Sequence, residues 1–313
     1  MKLNLHRLWV FEQVVACGGF SAAARKLYMS QPSVSQHVHK LEVSLGTTLL
    51  DRTGPRLRLT TQGEVLLRYA QQISSLAQDV TAAIDQASDA PSGRLVVGST
   101  SAYAGHLLLP VFGRFAEFFP AVERRLRTGN TTEVLRQLTE GEVRLAVLPG
   151  DRAGAPPQHR VEPLLEEQLV LVAHPGHPLA GRAVTPSDLA QQRFLFREEG
   201  SATRRAQDDA LVLWGRAPSR CPGVAGNDTL KQAVIAGLGI AVMPQRCVAR
   251  ELRDGHLALL RPDPGLPACT IVLATARETS LSLAEQEFAR LLRTVTDSGE
   301  LPAAAPVGRA GRS

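Results

Sequence analysis

Apolar residues in the first fifty positions recur at helical spacing. In "LHRLWVFEQVVAC", Leu5, Leu8, Trp9, Phe11, Val14 and Val15 share one broad face, and Gly18-Gly19 ends the run, which predicts an amphipathic helix with a defined stop. Ser21 is a good N-cap for "AAARKLY", where Ala22, Ala23, Ala24 and Leu27 make a small-residue helix able to approach its neighbours closely. After a break at Met29-Ser30, Ser30 or Gln31 caps a third helix. Pro32 stands in its first turn, where a missing N–H is tolerated. Val34, Val38, Leu41 and Leu45 then follow at steps of four, three and four, which leaves Ser33, Ser35, Gln36, His37, His39 and Lys40 on the other faces. Two short alternating runs around Gly54-Pro55 in "LLDRTGPRLRLTTQGEVLL" predict a small hairpin bearing Arg52, Arg56 and Arg58.

The pattern changes past residue 61. Leu66, Tyr69, Ile73, Leu76, Val80, Ala83 and Ala87 alternate steps of three and four, a narrow heptad seam on one long helix over 62–90. Such a seam suits self-association, as a dimer or tetramer, better than simple docking on a domain. "DAPSG" (Asp89–Gly93) breaks the helix and forms a hinge. From there short apolar runs at 94–99, 122–128, 144–150, 168–174, 193–198, 240–244 and 270–275 alternate with helical patterns near 103–118, 131–140, 201–214, 228–237, 244–253 and 281–296. That alternation predicts an α/β fold. Bland stretches near 160–168 and 260–268 divide residues 91–297 into two lobes, 93–165 with 268–297 and 166–267. Residues 298–313 look like a disordered tail.

Charge sharpens the picture. Residues 1–61 hold Lys2, Arg7, Arg25, Lys26, Lys40, Arg52, Arg56 and Arg58 against Glu12, Glu42 and Asp51, so the whole net charge of +5 sits there and the remainder balances to zero. A polyanion partner for that first fifth is the natural inference. A short helix, a tight turn and a second helix with a buried Val/Leu stripe make a helix-turn-helix, and the hairpin is its wing. Proline and small polar residues keep the start of the third helix slim enough for a major groove, where Ser and Gln can exchange hydrogen bonds with base edges. The basic wing suits phosphates or the minor groove. A plain three-helix core with a polar face is the bland alternative.

No apolar run reaches about 18 residues, so no membrane span is expected, and the first 20 residues are interrupted by His6, Arg7, Glu12 and Gln13, unlike a secretory leader. The protein reads as cytoplasmic. Cys17, Cys221, Cys247 and Cys269 are scattered without metal spacing and suggest free thiols, with a redox role for Cys221 the less favoured reading. "AHPGHPLAG" (173–181) with His174 and His177 reads as a turn, not a metal site. No metal, cofactor or catalytic residue is expected.

The stretch "FEQVVACGGFSAAARKLYMSQPSVSQHVHKLEVSLGTTLLDR", continued through "LTTQGEVLL", resembles the DNA-binding domain of LysR-type transcriptional regulators. The resemblance implies that the helix beginning "QPSVSQ" is the recognition helix, with Gln31, Pro32, Ser33, Ser35 and Gln36 toward the groove and Arg52, Arg56 and Arg58 toward the backbone. It implies a linker helix that pairs two subunits, and a two-lobed, periplasmic-binding-protein-like effector domain. "REEGSATR" resembles a motif of the branch controlling carbon fixation or sulfur assimilation. The peroxide-sensing branch would want a cysteine close to Ala202, which this chain lacks.

Ligands of open α/β sheets bind at the carboxyl ends of strands. Polar loops there precede helices at "STSAY", "TGNTTE", "EEGSATRR" and "GNDT", which makes Ser99, Thr100, Ser101, Asn130, Thr131, Ser201 and Thr203 candidates to line a cleft for a small anionic metabolite. Each could equally serve only as a cap. Glu198 and Glu199 oppose an anion unless Arg197, Arg204 or Arg205 compensates. A metabolite-converting α/β enzyme with an accessory DNA-binding domain is the competing function, but GxSxG, P-loop and GxGxxG motifs are absent. A solute-binding receptor is a third.

Overall fold

The computed structural model describes residues 3–51, 57–85, 91–150, 158–218, 220–276 and 281–298. Arg52, Arg56, Ala87, Asp89, Ala90, the side chain of Ala83 and the tail beyond 298 lie outside them. The chain forms two compact units, Met1–Thr81 with Glu140–Glu142, and Ala82–Thr139 with Val143–Ser313.

In the first unit α1 (Leu5–Ala16), α2 (Phe20–Leu27) and α3 (Gln31–Leu45) enclose Leu8, Val10, Phe11, Val14, Ala23, Val34, Val38 and Leu41. Trp9 and Leu5, expected on the buried face of α1, are exposed, and Val10 is buried in their place. Ser21 does not cap α2: the cap lies two residues earlier, at Gly19, and the helix starts at Phe20. Ser30 caps α3, its hydroxyl accepting from Ser33 N at 3.3 Å. The wing is a two-stranded ladder, β1 (Leu50–Asp51) against β2 (Arg58–Leu59), with Leu50 opposite Leu59. Glu42 of α3 ties it down by accepting from Leu49 N and Leu50 N at 2.9 and 3.3 Å. The long helix α4 (Thr61–Asp85) then passes so close that a Cβ on Gly63 would lie 2.1 Å from the Leu49 carbonyl oxygen. Its seam is divided. Leu66 and Ile73 pack into the unit beside Ala70, which lies off the seam, whereas Tyr69, Leu76 and Val80 are exposed.

The second unit contains two sheets. The first has the order β4-β3-β5-β11-β6, from β3 (Arg94–Thr100), β4 (Glu123–Gly129), β5 (Leu145–Pro149), β6 (His159–Glu167) and β11 (Cys269–Ala276). Between β3 and β4 run α5 (Ser101–Tyr103), a π-helical turn (Ala104–Leu108) and α6 (Leu109–Phe118). With α12 (Leu283–Asp297) they cover one face of the sheet, and α7 (Thr131–Thr139) covers the other. The second sheet has the order β8-β10-β7-β9, from β7 (Leu169–Ala173), β8 (Ala183–Val184), β9 (Ala241–Pro244) and β10 (Ala258–Pro262). Around it lie α8 (Pro186–Ala190), α9 (Ala202–Leu213), α10 (Asn227–Ile235) and α11 (Gln245–Arg253).

Three expectations need correction. The second bland stretch, 260–268, begins inside β10, which runs Ala258–Pro262. Residues 160–168 are not bland coil but mostly the nine-residue strand β6, paired along β11. Its "HRVEPLLEE" hides the strand because it lies at the sheet edge, where Pro163 is tolerated beside an irregularity at Ile271/Val272. Conversely, 193–198 is not a strand. Its backbone bonds run to single residues, with bridges Phe194–Ile240 and Arg197–Val224, and Arg197 N donates instead to Gln207 Oε1 at 2.9 Å.

Candidate functional site

The start of α3 is built for a large partner. Gln31, Pro32 and Gln36 are exposed, and Ser33 and Ser35 are half-buried. Ser30 caps this end with its hydroxyl on Ser33 N. Arg58 is exposed on β2 opposite Asp51. His37, expected at the surface, instead turns toward α1 and packs edge-on against His6 with ring centroids 5.0 Å apart. Burial lowers its pKa, and the neighbouring His6, Arg7 and Lys40 charges lower it further.

Between its two sheets the second unit holds a narrow crevice of about 10 Å³, room for about one water, lined by Thr100, Ala102, Asn130, Thr131, Pro149, Arg197, Ser201, Ala202, Thr203 and Asn227. Three helices begin there: α7 at Thr131, α9 behind Ser201 and α10 at Asn227. Helix starts favour negative charge, although Thr132 N, Glu133 N and Ala202 N already donate within the protein. The lobes touch directly across the cleft. Thr132 N donates to Gly200 O at 3.0 Å, Ala202 N donates to Thr131 Oγ1 at 3.0 Å, and Asn130 Nδ2 donates to Glu199 O at 3.4 Å.

Among the described residues Arg197 is the one cationic side chain lining this cavity, and it is only 3% exposed. Glu198 grips it with two bonds, Nε to Oε2 at 2.7 Å and Nη2 to Oε1 at 2.8 Å. Among the described residues its Nη1 makes no hydrogen bond. Burial works to raise the Glu198 carboxyl, but the Arg197 pair and the Gly226 N–H outweigh it and hold it below the usual carboxylate value. Arg204 lies over the Phe196 ring at 5.1 Å and donates to Arg197 O at 3.1 Å, fixing the main chain from behind. Gly223 makes room, since a Cβ there would sit 1.8 Å from Arg197 O. Two buried polar atoms on the cavity wall, Thr100 Oγ1 and Asn227 Oδ1, have no hydrogen-bond partner in the protein, a condition that buried groups rarely keep once a ligand is bound.

Of the seven cleft residues expected from sequence, the fold brings Thr100, Asn130, Thr131, Ser201 and Thr203 together at the cavity. It does not bring Ser99 or Ser101. Ser99 is fully buried with its hydroxyl donating toward the carbonyls of Val147 and Thr100 at 3.0 and 3.1 Å, and Ser101 is exposed. The sequence reading passed over Arg197 and Asn227 as lining residues. The only local signal for Arg197 was an arginine beside two glutamates that needed neutralising.

Burial pushes the Cys247 and Cys269 thiols up to about 12 and about 11, so both are protonated and poorly reactive at neutral pH. His174 and His177 are satisfied inside their own turn, accepting from Gly176 N and Leu179 N at 3.0 and 3.2 Å. Among the described residues no group of three or more His, Cys, Asp and Glu is placed to hold a metal, and no helix is long and apolar enough to cross a membrane.

A winged helix-turn-helix joined to a two-lobed binding unit is the architecture of a one-component regulator, with one unit for DNA and one for a small molecule. Residues 5–64 match the bacterial regulatory helix-turn-helix family of lysR type, and residues 88–297 match the LysR substrate binding domain. The chain belongs to the LysR family of transcriptional regulators. It is 33% identical over 264 residues to the HTH-type transcriptional regulator CfxR of Cupriavidus necator, covering 82% of this chain and 81% of that protein. Against the regulator CbbR of Rhodospirillum rubrum it is 33% identical over 266 residues, covering 84% and 87%. The CcmR regulatory domain of Synechocystis, solved in complex with 2-PG, superposes with a TM-score of 0.59 at 25% identity, over 66% of this chain and 98% of that one. OxyR of Corynebacterium glutamicum matches at TM-score 0.58 and 26% identity over 95% and 94%. This chain has Ala202 and no cysteine near it.

Proposed function

We propose that this regulator senses a small oxyanion in the cleft between its lobes and controls genes of carbon fixation. The observation that carries the first half is Arg197, buried and clamped by Glu198, among two unpartnered polar atoms and three helix starts. A buried guanidinium with one amino group still to engage is a strong anion ligand. The 2-PG bound to CcmR supports the same ligand chemistry. The names of its relatives, CfxR, CbbR and the RuBisCO operon regulator of Allochromatium vinosum, support the second half. Self-association through the exposed Tyr69, Leu76 and Val80 of α4 gives two recognition helices for one operator. The site of action is the cytoplasm.

The test is a thermal-shift screen of the full chain against 2-PG, other small phosphates and carboxylates, sulfate and sulfur metabolites. A saturable rise with one compound, lost in Arg197→Met, is the expected result. A rise that survives Arg197→Met would remove the cleft arginine from the reading. No rise with any phosphate or carboxylate would remove the carbon-fixation ligand class.

A further inference from the structure

The turn between α2 and α3 contains the single non-glycine residue with positive φ among the described residues. Tyr28 sits at φ 54, ψ 38 and closes α2 by donating its backbone N–H to the carbonyls of Ala24 and Arg25. The same job at the end of α3 is done by Gly46, at φ 67. Glycine and asparagine adopt this conformation without the steric penalty that a tyrosine Cβ incurs. The side chain is also 99% exposed, so its ring gains nothing from the core. Strain and full exposure of a large aromatic coincide at one position, and among the described residues no side-chain contact of Tyr28 offsets either. Strained residues of this kind concentrate where a partner is engaged.

The surroundings say which partner. Tyr28 follows Arg25 and Lys26, both exposed in the last turn of α2, and precedes Ser30, the N-cap of the fifteen-residue α3. Two cations and the positive end of a helix flank it, a setting for phosphate. We infer that Tyr28 is a DNA-backbone contact. Its phenol Oη donates to a phosphate oxygen beside the bases met by the start of α3, and its ring packs on the adjoining sugar. The inference rests on the reading that α3 enters the major groove.

The experiment compares full-length wild type, Tyr28→Phe and Tyr28→Asn by fluorescence anisotropy. The probes are a duplex selected from a random library by the unaltered chain and a scrambled duplex, each over a range of salt. Tyr28→Asn is expected to bind both duplexes about tenfold more weakly, the scale of a lost hydrogen bond to a charged group, with Tyr28→Phe between. The preference between duplexes stays constant, and so does the slope against salt, because a neutral phenol displaces no counterion. The melting temperature of Tyr28→Asn is expected to hold or rise, since asparagine relieves the strained turn. Equal binding by Tyr28→Asn overturns the inference. So does a fall in melting temperature that accompanies the lost affinity, which would make Tyr28 merely structural. A collapsed duplex preference overturns the backbone assignment in favour of base contact. If the wild type itself selects no duplex, the groove reading of α3 falls first and takes the inference with it.

Discussion

The starts of α3 and α9 use nearly the same vocabulary and serve opposite ends. Each is a serine followed by small polar residues, at Ser30-Gln31-Pro32-Ser33 and Ser201-Ala202-Thr203. At α3 the serine hydroxyl caps its helix and the residues beyond it face solvent. At α9 the serine makes no side-chain cap and, with Thr203, is buried against a small cavity. The local chemistry of a helix N-terminus is therefore shared, and burial decides whether it is open to solvent or enclosed between the sheets. The difference also fixes what each site can tolerate. Beyond the cap, residues of the exposed start lose only contacts when altered, whereas buried ones also lose stability.

The sharpest way to break that contrast is Arg197→Met. It strands Glu198 and should cost about 3 kcal/mol of stability, read from the urea midpoint at unchanged slope, because a buried pair has lost one partner. Adding Glu198→Gln should restore most of the stability and none of the anion response. If the single variant keeps wild-type stability, the cleft is wetter than its burial implies. Next in size is Gln36→Ala at the exposed start. Its melting curve should be unchanged while discrimination between selected and scrambled duplexes narrows by about 1–2 kcal/mol. A uniform loss across both duplexes would show that Gln36 does not read bases.

A finer comparison lies inside the cleft. Thr131 Oγ1 accepts from Ala202 N, so Thr131→Ala should destabilise the ligand-free protein by about 1 kcal/mol. Thr100 Oγ1 has no such partner, so Thr100→Ala should leave stability within about 0.5 kcal/mol of wild type while weakening anion binding. Equal destabilisation by the two would undo the assignment of Thr100 as a group awaiting a ligand.

The smallest effect compares the two units through pH. His159 Nε2 lies 3.1 Å from Thr139 Oγ1, whose single proton goes to Leu135 O, so Nε2 is the donor and the buried Nδ1 is bare and unpartnered. Burial lowers the His159 pKa below 6.5. Above that value both folded and unfolded forms are neutral and stability is flat. Below it the unfolded chain takes up the proton first, so stability falls as pH drops toward the folded pKa, by at most about 1.4 kcal/mol per pH unit for one group. His37 follows the same sign, but part of its shift comes from His6, Arg7 and Lys40. Salt should therefore soften the acid sensitivity of the first unit and leave that of the second nearly unchanged. Removing the slope with His159→Gln checks the assignment.

Much of the fold was legible because its signals are local. The helix-turn-helix followed from Val34, Val38 and Leu41, all fully buried as their spacing predicts. The α/β alternation followed from short apolar runs such as "RLAVLPG". The strand β6 was not legible, because an edge strand with a proline carries no clean alternation. The heptad seam on α4 was legible as a period, but not the fact that Ile73 turns inward while Leu76 stays out.

In the cleft the division is the same. That polar loops precede helices at residues 99–103, 128–133, 198–205 and 226–229 was readable along the chain, because caps and breaks are written within a few residues. The sequence by itself also determined where the positive charge collects, which is composition alone. Only the tertiary structure decided that Thr100 faces the cavity while Ser99 is spent on Val147 O, and that Glu198 clamps Arg197. Those outcomes depend on how β3 meets β5 and on how closely residues 130–132 approach 199–202. No local pattern encodes such approaches between segments some 70 positions apart, as with Thr131 and Ala202.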